Sequence, residues 1–414
     1  MKWLGLVFVL LSTLSQASEK FEIEFDSGEL ISIDVYHAGG DTLYLYLPSE
    51  RGLGNGYVST AQKMASKNQT FWAVDLHSSY MIAPSRNSID KFNIDDLLEL
   101  VDYSKDQGFE KLFFIASGRG AQLALKISNK WQLKNPDSDY LKGHIFHSPY
   151  LIHGKPKLGG KAEYMNIAKA SNLPVYLILP QYGTKYFRAE EIVGTLKTGG
   201  SSVFTHRLKG VNGGFHMRNE QDLSKISLQA KGDLNNTYLL ASNLMLTVNP
   251  PEPLKYNGTE KKSAEISFSE SVLKSYTQKQ SIPLALDNLA GERVSLDQYK
   301  DQVVLLNFWS SWCKPCVEEI PSLIRLKNKL DQQNFQIITI NVGESKQTIK
   351  DFMKRVKFNL PILLDDSGVA VRDWGVYAYP SSFLLDKNGS IRYAYRGALE
   401  WDTPSIIKTI SQLL

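Results

Sequence analysis

Both cysteines of the 414-residue chain, Cys313 and Cys316, stand in Trp312-Cys313-Lys314-Pro315-Cys316. The apolar, β-branched run Val303–Trp309 precedes them, and an amphipathic pattern carrying Val317, Ile320, Leu323 and Leu326 follows. The pair therefore sits where a buried strand turns directly into a helix, which demands an α/β arrangement. A bridge closing so short a loop removes little entropy from the unfolded chain, so stapling does not explain it. With 43% hydrophobic and 22% charged residues the chain has enough apolar material for two packed domains without disulfide support.

At such a junction the first cysteine meets the unpaired N–H groups and positive dipole end of the helix, which favour thiolate over thiol. Cys313 is the expected nucleophile and Cys316, one turn on and deeper, the resolving thiol. Pro315 costs nothing in the first turn, and Lys314 adds a nearby positive charge. Zinc is the competing use of a Cys-x-x-Cys pair, but a structural site wants four ligands. All seven histidines lie between His37 and His216, so the half that carries the cysteines has none to offer. The expected redox group is the Cys313–Cys316 disulfide alone, with no metal and no organic cofactor.

Met1-Lys2, the apolar run Trp3–Leu11 and Ser15-Gln16-Ala17 have the pattern of an export signal cleaved after residue 17. This predicts an exported, periplasmic protein; retention by an uncleaved segment 1–17 is the alternative. No other stretch approaches the roughly 20 apolar residues needed to cross a bilayer, so no stable membrane anchor is expected. A formal net charge of +4 without a long basic run speaks against a nucleic-acid partner.

Residues 18–248 alternate β-rich runs with helical stretches, predicting a mostly parallel sheet covered by helices. Its strands are expected at Phe21–Phe25, Ile31–His37, Thr42–Leu47, Phe71–His77, Lys111–Ser117, Gly143–Phe146, Pro174–Pro180 and Ser202–Leu208. Asn249-Pro250-Pro251-Glu252-Pro253 and the polar residues after it read as a linker, residues 249–280. Residues 281–414 form a second, smaller α/β unit. Strands Val303–Trp309, Phe335–Val342, Ser382–Leu385 and Ile391–Tyr395 are expected there, with helices Cys316–Leu330, Thr348–Val356 and Thr403–Leu413.

Three ordered motifs in the second unit resemble the TlpA/ResA/CcmG-type branch of the thioredoxin-like proteins. They are Leu305-Leu306-Asn307-Phe308-Trp309 ahead of the dithiol, Glu318-Glu319-Ile320-Pro321 after it, and Gly375-Val376-Tyr377-Ala378-Tyr379-Pro380-Ser381-Ser382-Phe383-Leu384-Leu385-Asp386. The resemblance implies a thioredoxin-like fold and a cis Tyr379–Pro380 bond lying against the dithiol, where backbone pairs with an extended client. It also implies that Glu319, one of the acidic positions of that branch, handles the proton of Cys316. Asn307 stands where thioredoxins proper carry a buried Asp.

Phe113-Phe114-Ile115-Ala116-Ser117-Gly118-Arg119-Gly120-Ala121 resembles the strand-to-helix nucleophile elbow of α/β-hydrolases. Ala116 and Gly120 fit the tight positions, which leaves Gly118 where the nucleophile belongs. The acid position after Pro174–Pro180 reads Gln181-Tyr182-Gly183, and only His216 stands where the base is due. The first domain is therefore expected to be a degenerate α/β-hydrolase, with Arg119 and the loop Ser49–Gly56 shaping a pocket. A serine esterase or peptidase using Ser117 and His216 is the alternative, and an adaptor with a redox-sensing domain is another. The expected function is an exported thiol-disulfide oxidoreductase, acting as a reductant on protein disulfides. Its electrons are expected from a membrane thiol donor, and its hydrolase-like domain is expected to bind a client or ligand.

Overall fold

The computed structural model describes residues 18–256, 258, 260, 273–331 and 333–414. The export segment 1–17 and residues 261–272 of the linker lie outside the described residues.

The first sheet has eight strands: β1 (Glu19–Glu24), β2 (Leu30–Tyr36), β3 (Thr42–Leu47), β4 (Thr70–Val74), β5 (Lys111–Ser117), β6 (Leu141–His147), β7 (Val175–Tyr182) and β8 (Val203–Asn212). Their order is β1-β2-β4-β3-β5-β6-β7-β8. From β4 to β8 neighbours run parallel, while β1 and β2 pair antiparallel. Helices cover both faces, so every residue of β3 is buried. Alternate residues point to opposite faces. Leu45, Leu47, Phe114 and Ala116 pack under helices Ile94–Asp106 and Gly120–Lys134, whereas Tyr44, Tyr46, Phe113 and Ile115 face helices Val58–Ala65 and Leu234–Met245.

The second sheet comprises β9 (Lys274–Ser275), β10 (Ala285–Asn288), β11 (Arg293–Ser295), β12 (Val303–Trp309), β13 (Phe335–Val342), β14 (Ile362–Asp365), β15 (Ser381–Leu385) and β16 (Ile391–Arg396). They lie in the order β11-β10-β14-β13-β12-β15-β16-β9. Fully buried β12 sits between parallel β13 and antiparallel β15, so its end is fixed from both sides. The β15–β16 turn closes through Asp386-Lys387-Asn388-Gly389, with Gly389 at φ +74. The expected strands of this unit match β12, β13, β15 and β16 to within a residue. Strands β9, β10, β11 and β14 escaped sequence reading because two to four residues are too few to show an alternation.

Described residues of the stretch expected to be a linker contact both domains. Asn172 and Asn129 donate to the carbonyls of Pro251 and Leu254, both at 2.8 Å, and Lys274–Ser275 adds an edge strand beside β16. The two sheets are also docked on each other. Phe187, after β7, joins the apolar core of the second domain, its ring seated on Gly343 and Gly368. Buried Arg188 donates to the Val371 and Val376 carbonyls at 3.1 and 2.9 Å, with its guanidinium 3.6 Å from the Tyr377 ring centroid. A Cβ on Gly368 would lie 2.3 Å from the Phe187 ring, at a left-handed φ of +69. Gly368→Ala is expected to cost about 1–3 kcal/mol through overpacking and strain. A urea midpoint equal to wild type would show that the Phe187 seat yields freely.

Candidate active site: the dithiol and the refilled elbow

Where β12 ends, Ser310 anchors the turn: its hydroxyl donates to the Val342 carbonyl at 3.1 Å, and its carbonyl accepts from Cys313 N at 3.1 Å. Cys313 occupies the N-cap of helix Lys314–Lys329, and its carbonyl accepts from Cys316 N at 2.9 Å. The two sulfurs form a disulfide of 2.11 Å. Cys313 is 6% exposed and Cys316 1%, the order expected of an attacking and a resolving thiol. Lys314 is solvated and 3.7 Å from Glu318, so its charge is shared with a carboxylate rather than aimed at sulfur.

The Tyr379–Pro380 bond is cis. Tyr379 meets Trp312 edge-on, with ring centroids 5.8 Å apart, which sets the 379–380 loop against the dithiol turn. Glu319, 2% exposed, lies one turn after Cys316 on the same helix. Its carboxylate accepts from Asn307 Nδ2 at 2.7 Å, Trp401 Nε1 at 3.1 Å and Leu399 N at 3.2 Å. Asn307 also reaches Ser382 Oγ at 3.0 Å, tying β12, β15 and the helix together. Burial pushes the Glu319 carboxyl up to about 7, against the pull of those donors.

A second buried carboxylate, Glu344, escaped the sequence reading. It accepts from Ser311 N at 2.7 Å, Ser311 Oγ at 2.5 Å and Asn341 Nδ2 at 2.8 Å, clamping the turn ahead of Trp312. Its only sequence signal was a lone Glu after a buried strand.

Residues 277–394 match the AhpC/TSA family. The thiol-disulfide oxidoreductase ResA of Bacillus thuringiensis subsp. konkukian is 32% identical over 119 residues, which span 29% of this chain and 69% of that protein. ResA of Bacillus subtilis is 32% identical over 129 residues, 31% of this chain and 70% of the relative. The crystal structure of StoA from Bacillus subtilis aligns at 28% identity over 31% of this chain and 96% of its own, with a TM-score of 0.28. The chain belongs to the ResA family of thiol-disulfide oxidoreductases. The ResA-type domain is the carboxy-terminal, thioredoxin-like one, and the chain is an oxidoreductase through it.

In this ResA-type domain Glu319 makes stability depend on pH. Its carboxyl moves from 4.5 to about 7 on folding, so between those values the folded chain keeps a proton that the unfolded chain has released. Stability contributed by the neutral acid is therefore present below the lower value and lost as pH rises through the upper one. Glu319→Gln is expected to flatten that fall in urea midpoints measured between about pH 5 and about pH 8. An unchanged slope would assign the dependence to other groups.

Outside the ResA-type domain, the strand-to-helix turn after β5 has its sharp geometry, with Gly118 at φ +52. Gly120 is required by contact: a Cβ there would lie 2.3 Å from the Pro48 carbonyl oxygen. At Gly118 a Cβ would meet Glu50 Oε2 at 2.6 Å, and the Glu50 carboxylate accepts from Arg119 N at 2.9 Å.

The other elbow candidates are dispersed. Ser117 Oγ donates to Met217 Sδ at 3.5 Å, and no Ser117–His216 hydrogen bond is present among the described residues. His216 stacks on His147 with ring centroids 4.0 Å apart and is pushed down to about 3 by burial and then by Lys231. Both of its nitrogens are buried without a partner among the described residues. Glu190 and Glu191 pair with Arg207 and Arg188. Arg119 is buried, its guanidinium 4.2 Å from the Tyr150 ring centroid with the Lys185 amine 4.5 Å from the same ring. Among the described residues no helix is long and apolar enough to cross a membrane, and no cluster of three or more His, Cys, Asp and Glu could hold a metal ion.

Proposed function

We propose that the protein is an exported reductant of protein disulfides, with Cys313 as nucleophile, Cys316 as resolving thiol and Glu319 as the proton acceptor for Cys316. The Cys313 thiolate forms a bond to one client sulfur as the client disulfide breaks, and the released client thiolate takes up a proton. Cys316, deprotonated towards Glu319, then attacks Cys313 Sγ and frees the second client thiolate. The client is reduced by two electrons and the pair becomes the disulfide seen here. The balance needs no metal or organic cofactor, only a thiol donor to reset the pair, for which a membrane thiol carrier is the fitting class. The signal-like residues 1–17 support export to the periplasm.

The amino-terminal domain fits this scheme as an α/β-hydrolase-like module that binds rather than hydrolyses. Support comes from the sharp turn at Gly118, a strand-to-helix elbow with the Glu50 carboxylate lying over it.

The observation that carries the proposal is Cys313 at the N-cap of a helix whose first two turns bear Cys316 and Glu319. Cys313→Ser is expected to abolish insulin-disulfide reduction, and Cys316→Ala to accumulate a mixed disulfide with the client. Turnover retained in Cys313→Ser would remove the proposal. A pH–rate limb near 7 that survives Glu319→Gln would remove Glu319 from its role.

A further inference from the structure

The carboxyl end of β7, where a hydrolase would carry its acid, holds Gln181-Tyr182-Gly183 and faces the dithiol domain. Gln181 Nε2 donates to the Gly343 carbonyl at 2.8 Å while Oε1 accepts from Gly210 N at 2.6 Å, so its amide is fixed from both domains. Tyr182 lies face to face with Trp312, ring centroids 6.1 Å apart and planes 23° apart. The indole next to Cys313 is thus held between Tyr182 from one domain and Tyr379 from its own.

The Tyr182 ring is not free to swing. Phe187 in its glycine seat and Arg188 on the Val371 and Val376 carbonyls anchor the segment that follows it. Glu344, beside Gly343, holds Ser311, so the loop touched by Gln181 also carries the dithiol turn. Two donors within this aromatic group, Trp312 Nε1 and Tyr379 Oη, are buried and lack a partner among the described residues. Buried donors are almost always paired, and both of these belong to the rings of the Tyr182–Trp312–Tyr379 group.

We propose that Tyr182 is a specificity-determining residue of the disulfide exchange, a wall lent by the amino-terminal domain that closes the Trp312 side of Cys313. Thiolate attack requires the client's sulfurs to reach Cys313 Sγ, and Cys313 has little exposed surface to spare. A wall on one side leaves room for a small disulfide, or for one presented on a narrow, extended segment. It turns away a disulfide embedded in a folded surface. The inference rests on the exchange reading above and names how the amino-terminal domain selects clients: by shape at the dithiol.

The test uses the full chain, comparing kcat/KM for native insulin with that for a small aryl disulfide. In Tyr182→Ala the insulin value is expected to rise several-fold, while the aryl value stays within about two-fold, since only bulky approach is gated. Tyr182→Phe, which keeps the stack, is expected to retain the wild-type ratio, and the dithiol reduction potential is expected not to move. Tyr182→Leu serves in the same direction where the alanine variant does not fold. Equal changes for both substrates, or none for insulin, would overturn the wall. Activity persisting in Cys313→Ser would overturn the exchange reading instead.

Discussion

The positive dipole end of helix Lys314–Lys329 is the constraint on which the redox site depends. Its position is set by β12, whose seven residues are all buried and whose neighbours β13 and β15 fix it on both sides. A helix leaving that strand places Cys313 at its N-cap, and the amide dipoles there stabilise a thiolate without any dedicated cation. Lys314 is turned to solvent beside Glu318. The two buried carboxylates hold this junction from opposite ends: Glu344 grips the turn before Trp312, while Glu319 ties the helix to Asn307 of β12 and to Trp401. The Glu319 carboxyl is pushed up to about 7 by the burial its position demands.

In the amino-terminal domain the Glu50 carboxylate lies over Gly118 and accepts from Arg119 N, while Gln181 and Tyr182 contact the other domain. His216 is buried, stacked on His147 and pushed down to about 3. On the hydrolase-like reading proposed above these are the places of nucleophile, acid and base, and their occupants fit binding better than hydrolysis.

Much of this was legible in the residues. Short β-rich runs located all eight strands of the first sheet; β3 to β7 stand out because parallel strands covered on both faces are near-continuously apolar. The dithiol and the cis Tyr379–Pro380 bond followed from ordered motifs and the resemblance they carry. Three things were not readable. Strands of two to four residues carry no periodicity, so β9, β10, β11 and β14 were missed. Glu50 lies in a loop 68 positions before Gly118, and which side chain refills a vacated space depends on tertiary packing alone. Phe187 and Arg188 look like ordinary helix-start residues; that they enter the other domain depends on Gly343 and Gly368, more than 150 residues away in the chain.

The central claim is that the strand-to-helix junction makes Cys313 the attacking thiolate. The direct measurement is the thiolate absorbance of the reduced protein titrated with pH, in wild type and in Cys316→Ala. The account predicts that Cys313 ionises below the roughly 8.5 of a free thiol, with Cys316 ionising above it. A Cys313 that titrates at or above the free-thiol value would contradict it.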